Sequence, residues 1–208
     1  MIPCGHGSSA TRPRPWPWLI SSPKRKNMPL TQRSWSGLGF SIQPRADAVV
    51  LLAGSPSWSV DDQNTLDAWG NTYLDWLLTS KNGADECAAK NNHGTWYDVQ
   101  AAHWALVLGR KDVAKKIITL AATKRVAVQV EPDGRQPLEL VRTASFSYSC
   151  FNALALSELA ALGEHAGFDL WHFKTSEGRS IRAALDFLVP YLGKNPLREP
   201  LTRVFGSS

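Results

Sequence analysis

The 208 residues provide enough chain for one domain with a sizeable core, and 43% of them are hydrophobic, which excludes a chain disordered throughout. The formal net charge of +5 is unevenly placed: residues 1–48 hold seven Lys/Arg and one acid, whereas residues 49–208 hold 16 basic and 17 acidic residues. The basic balance therefore belongs to the N-terminal segment and argues for no nucleic-acid partner. No apolar run reaches the roughly 18 residues of a membrane-spanning helix, so no membrane partner is expected. Three widely spaced cysteines, Cys4, Cys87 and Cys150, define neither a disulfide framework nor a paired zinc knuckle; free thiols are expected.

In chain order, residues 1–48 carry seven of the 13 prolines, the cluster Lys24-Arg25-Lys26 and no sustained periodicity. They read as a disordered basic tail. Pro13, Pro15 and Pro17 interrupt any apolar core of a signal peptide, so no secretory signal is read there. From Ser57 the pattern changes. Ser59 can cap a helix whose first turn holds Asp61 and Asp62. Leu66, Trp69, Tyr73, Leu74 and Leu77 follow at helical spacing, with an end expected near Ser80, before Asn82-Gly83. After a polar link, a second helix is expected from Trp96 to Leu108. A third runs from Lys111 to Lys124 with Val113, Ile117 and Leu120 on one face. Val126–Val130 is β-branched and reads as a short strand or extended segment. Glu131-Pro132-Asp133-Gly134 is a turn signal. A fourth helix is expected from Thr143 to Leu162 with Gly163 just beyond it. A fifth spans Arg179 to Leu192, and residues 193–208 form a C-terminal tail. Five helices with short links predict an all-α fold of antiparallel hairpins over residues 55–192.

Two clusters carry candidate chemistry. Asn91-Asn92-His93 opens a helix, where free N–H groups and the dipole favour an anion and the side chains add directed donors. The plainer alternative is that one Asn caps the helix and His93 is a satisfied surface residue. The second cluster is Arg142, Thr143, Ser145, Ser147 and Tyr148. Arg can grip a carboxylate in bidentate fashion, and a Tyr among cations can serve as base or acid. Six residues apart, Arg142 and Tyr148 converge only if Arg142 precedes the first helical turn; otherwise Tyr148 is a core residue and Arg142 a surface one. His103, His165 and His172 have no metal-ligand pattern, no Gly-x-Ser-x-Gly elbow surrounds Ser145, Ser147 or Ser149, and no Gly-rich phosphate loop exists.

Together, Asn91-Asn92-His93-Gly94-Thr95-Trp96-Tyr97-Asp98-Val99-Gln100, then Glu131-Pro132-Asp133-Gly134-Arg135-Gln136-Pro137-Leu138-Glu139-Leu140, then Arg142-Thr143 and Ser147-Tyr148-Ser149 resemble the alginate lyase superfamily, in the branch acting on alginate or glucuronan. The likeness runs from about Ser55 to Tyr191. It implies a partial (α/α) toroid, an acidic polysaccharide partner and β-elimination without a metal or other cofactor. In that family an Asn-His pair and an Arg neutralise the uronate carboxylate, and a Tyr moves the proton. The resemblance carries these catalytic roles to Asn92, His93, Arg142 and Tyr148. Asn91, Trp96, Tyr97 and Gln136 are candidate substrate contacts, although Trp96, Tyr97 and Trp171 suit a core as well as a sugar platform. The resemblance also implies a periplasmic or secreted location.

Family members are longer, so helices preceding Ser55 are expected to be missing. That leaves three functions open: an active uronan lyase, a non-catalytic fragment binding acidic glycans weakly, and a helical interaction domain. It also predicts that the first helix exposes part of its stripe of Leu66, Trp69, Tyr73 and Leu77 or covers it by self-association.

Overall fold

The computed structural model describes Val49, Leu52 and residues 55–192; the expected tails at 1–48 and 193–208 lie outside the described residues. Among the described residues all regular structure is helical, with no strand, and no helix is long and apolar enough to cross a membrane. Helix α1 spans Val60–Thr79. Its start follows from local chemistry. The Ser59 hydroxyl accepts from the Asp62 backbone N–H, and the Asp62 carboxylate accepts from the Ser59 backbone N–H, which satisfies two end donors reciprocally.

Ser80 ends α1 as expected and at once caps a further helix, α2 (Lys81–Ala88), where the sequence reads as a polar link. Asn82-Gly83 is thus not a turn. A Cβ on Gly83 would collide with the Leu77 carbonyl, so glycine is required there for α2 to fold back tightly against α1. Helix α3 (Asn92–Val107) starts four residues earlier than expected and lies at the centre, packed against α1, α2 and two later helices, Lys111–Ala121 and Ser145–Ala166. It is buried around much of its circumference by Trp96, Val99, Ala101, Ala102, Trp104 and Ala105, the pattern of a core helix.

Leu108–Arg110, with Gly109 at φ 71°, turns the chain into α4 (Lys111–Ala121). Its buried face is Ala114, Ile117, Ile118 and Ala121; Leu120, expected inward, is exposed. The chain then passes through a π-helical turn (Ala122–Val126) into α5 (Ala127–Gln129), so Val126–Gln129 is helical rather than extended. Only Val130 adopts extended angles, at φ −109° and ψ 126°. Continuity with α4 overrides the β-branched propensity, and the π turn directs Arg125 inward.

The Glu131–Gly134 turn forms as read, closed by the Gly134 N–H donating to the Glu131 carbonyl at 2.9 Å. Helix α6 (Pro137–Leu140) is followed by α7 (Ser145–Ala166). Gly163 lies inside α7, four residues from an end capped by Gly167 in the left-handed region. A Cβ on Gly163 would meet the Phe168 carbonyl, so close packing explains that glycine and the left-handed cap explains Gly167. Helix α8 (Ile181–Leu188), capped by Ser180, runs on into a 3₁₀ turn at Val189–Tyr191, close to the expected fifth helix.

In α1, Leu74 and Leu77 are buried, while Leu66, Trp69, Tyr73 and Trp76 are half-buried against the core. Trp69 and Tyr73 stack with ring centroids 5.2 Å apart, and both meet the edge of Trp104. Part of the α1 stripe thus retains solvent exposure. Cys150 is free, as expected.

Candidate active site

The α2–α3 junction places Asn91, Asn92 and His93 together at the start of the central helix. Asn91 is the cap: its side chain accepts from the His93 backbone N–H at 3.3 Å. The Gly94 N–H bonds the Asn91 carbonyl at 3.1 Å, and the Asn92 N–H donates to Glu139 Oε1 at 2.8 Å. The first backbone donors of α3 are therefore satisfied internally, and the expectation of free N–H groups awaiting an anion does not hold. Any anion at this end must be met chiefly by side chains.

Asn92 is buried, and its Nδ2 donates to Glu139 Oε2 at 2.7 Å, so one carboxylate grips both its main chain and its side chain. His93 is half-buried. Its Nδ1 lies 3.2 and 3.4 Å from the two oxygens of Glu86 on α2, which leaves Nε2 as the ring nitrogen without that partner. A cleft of about 520 Å³ opens here, lined by Asn82, Asp85, Glu86, Ala89, Asn91 and His93. Its two acids both have cationic or ionisable partners, Asp85 with Lys81 at 2.6 Å and Glu86 with His93.

Arg142 precedes α7, the condition under which it can meet Tyr148. Its guanidinium carbon sits 4.0 Å from the Tyr148 ring centroid, a cation–π contact. The Arg142 N–H also bonds the Glu139 carbonyl at 3.1 Å. Glu139 thus links the two clusters, its side chain holding Asn92 and its backbone lying next to Arg142.

The candidate substrate contacts divide. Asn91 lines the cleft. Trp96 is 6% exposed and packs on Phe151 at 4.8 Å between ring centroids. Tyr97 is 8% exposed; its hydroxyl donates to the Leu77 carbonyl at 3.0 Å, and burial pushes its phenol pKa upward. Neither ring presents an open face, and both belong to the core. Gln136 is buried as well, within a network that sequence reasoning missed. Asn152 Nδ2 donates to Gln129 Oε1 (2.9 Å) and Gln136 Oε1 (2.8 Å). Gln136 Nε2 donates to the Ser149 carbonyl, Thr95 Oγ1 to Gln129 Oε1, and Gln129 Nε2 to the Asn91 carbonyl. This network ties the start of α3 to α5 and α7. Replacing Asn152 by Ala leaves the buried Gln136 carbonyl without its donor and is expected to cost ~1–3 kcal/mol, read as a lower urea midpoint. An unchanged midpoint would show that the network contributes no stability.

Beneath the junction lies a second unforeseen feature. Arg125 donates to Asp98 Oδ2 at 2.7 Å and to the carbonyls of Ala89 and Cys87 at 2.8 Å each. A Cβ on Gly94 would strike the Ala89 carbonyl and this guanidinium, so the glycine of the Asn-Asn-His-Gly run makes room for them. Among the described residues no group of three or more His, Cys, Asp or Glu could hold a metal ion.

No curated protein matches the chain. The crystal structure of an alginate lyase from Bacteroides ovatus superposes with a TM-score of 0.73 at 38% identity, covering 77% of this chain and 42% of that one. This chain therefore spans less than half the length of that relative, and its helical architecture is of the (α/α) toroid kind. The family model for alginate lyase matches residues 17–198, beginning well before Ser55, where the motif likeness starts. With most of the chain matched and these motifs in place, the protein belongs to the alginate lyase family.

Proposed function

We propose that this protein cleaves a β-1,4-linked uronic acid polymer, alginate or glucuronan, by β-elimination. The observation that carries the reading is the link through Glu139 between the Asn92-His93 pair and the Arg142–Tyr148 stack. A uronate carboxylate and its C5 proton are adjacent, so the groups serving them must be adjacent too. C5–H is a poor acid until charge developing on the carboxylate is stabilised. His93 through Nε2, the Arg142 guanidinium and the Asn92 amide meet that charge. Tyr148 takes the C5 proton, the C5–H electrons form the C4=C5 double bond, and the C4–O4 bond breaks. A proton, returned by Tyr148, completes the leaving hydroxyl. For the opposite C5 configuration His93 stands as the base.

The test is a panel of mannuronan, guluronate-rich alginate and glucuronan, followed by the ultraviolet absorbance of unsaturated uronate ends. Turnover is expected on at least one polymer. His93→Ala should lower it by ~10²–10³-fold, as for loss of one charge-stabilising donor. A folded protein silent on all three polymers would overturn the reading; retained uronan binding would then mark a non-catalytic glycan binder.

A further inference from the structure

Glu139 is 1% exposed, and among the described residues no Lys, Arg or His pairs with it. Burying a carboxylate without a cation costs several kcal/mol unless hydrogen bonds and dipoles compensate. Here the compensation comes from one residue, Asn92, through its backbone N–H and Nδ2–H, and from the positive end of α3. An apolar side chain here would leave the buried Asn92 N–H and Nδ2–H without an acceptor, so the acid and Asn92 form one unit.

From this we infer that Glu139 is a positioning residue that fixes the orientation of the Asn92 amide for the elimination reaction; the inference rests on the lyase reading above. Both Glu139 oxygens accept, Oε1 from the Asn92 backbone N–H and Oε2 from Nδ2–H. The carboxylate therefore dictates that Nδ2 faces Glu139 and Oδ1 faces away, leaving the second Nδ2–H as the remaining amide donor. Without that constraint the amide can rotate by half a turn and exchange donor for acceptor at the same place. Because Arg142 donates its N–H to the Glu139 carbonyl, the same residue sets the distance between the Asn92 amide and the chain segment bearing Arg142. The acid is part of the motif from Glu131 to Leu140, but nothing in its spacing indicates which residue it holds.

Glu139→Gln distinguishes orientation from bulk. Gln offers one acceptor, for the Asn92 N–H, and one donor, which Asn92 can satisfy only by turning its Oδ1 inward. The variant keeps the shape and the hydrogen-bond count while inverting the amide. On the polymer that the wild type cleaves, kcat is expected to fall on the order of 10²-fold with KM changed only a few-fold, the pattern of a lost transition-state interaction. The melting temperature should stay near the wild-type value. In an Asn92→Ala background, Glu139→Gln should cause no further loss, because the residue it acts through is gone. Wild-type kcat in Glu139→Gln, or an equal further loss in the Asn92→Ala background, overturns the inference while leaving the lyase reading intact. Wild-type protein without turnover on any uronan overturns both. Should Glu139→Gln fail to fold, Glu139→Asp decides: one methylene shorter, it cannot reach both donors, so a folded variant with wild-type kcat would equally remove Glu139 from the reaction.

Discussion

Tyr148→Phe is expected to reduce turnover by ~10²–10⁴-fold, the usual contribution of a positioned proton-transfer group, with little change in stability or in uronan binding. The substitution removes only the hydroxyl. The ring remains, and with it the Arg142 contact at 4.0 Å, so the cation keeps its place and its share of carboxylate neutralisation. Tyr148 is half-buried on the first turn of α7, with its N–H bonded to the Ala144 carbonyl, and neither feature depends on the phenol oxygen. The measurement is kcat on the uronan panel together with a thermal melt and a binding isotherm. Loss of activity with an unchanged melt assigns the hydroxyl to chemistry. Wild-type rates on every cleaved polymer would remove Tyr148 from the mechanism and return the proton transfer to His93.

The largest stability effect is expected at Arg125. Replacing it by Met should cost ~3–5 kcal/mol, a large part of a typical folding free energy of about 5–15 kcal/mol. Arg125 is 2% exposed and Asp98 is 5% exposed. Without the guanidinium, Asp98 becomes an uncompensated buried charge, and the carbonyls of Cys87 and Ala89 lose their donors. The pH dependence has a definite sign. Burial pushes the Asp98 carboxyl upward and Arg125 pulls it down, so removing Arg125 raises it further. A carboxyl raised in the folded state favours folding when protonated. The deficit of the variant relative to wild type should therefore shrink as pH falls from neutral into the raised carboxyl range and return as pH rises. Urea denaturation at several pH values measures this. A constant deficit would mean that Asp98 is not the source of the loss. Because Arg125 also secures the α2 end just before Asn91, the folded fraction of the variant should show reduced turnover as well.

The features set by short stretches of sequence were those whose physics is local. Ser59 and Asp62 define the start of α1 because both partners of the capping box lie within four residues. Glu131–Gly134 closes as a turn on its own backbone bond, and the all-helical character follows from apolar spacing along each segment. The candidate residues Asn92, His93, Arg142 and Tyr148 were legible through motif likeness, and the Arg142–Tyr148 contact followed once Arg142 lay outside α7. Helix α2 was not legible, because its eight residues are mostly polar and its packing depends on Gly83 approaching the Leu77 carbonyl. The partners of the buried polar residues were decided only by the tertiary structure. Asn92 meets Glu139 across 47 positions, Thr95 meets Gln129 across 34, and Arg125 meets Asp98 across 27. Nothing in a local pattern shows which distant donor will satisfy a buried carboxylate, nor that Trp96 and Tyr97 both turn inward, where a core role was expected for at least one of the motif's aromatics. Those outcomes depend on which helices enclose α3, because burial makes each unpaired polar group costly and so fixes its partner.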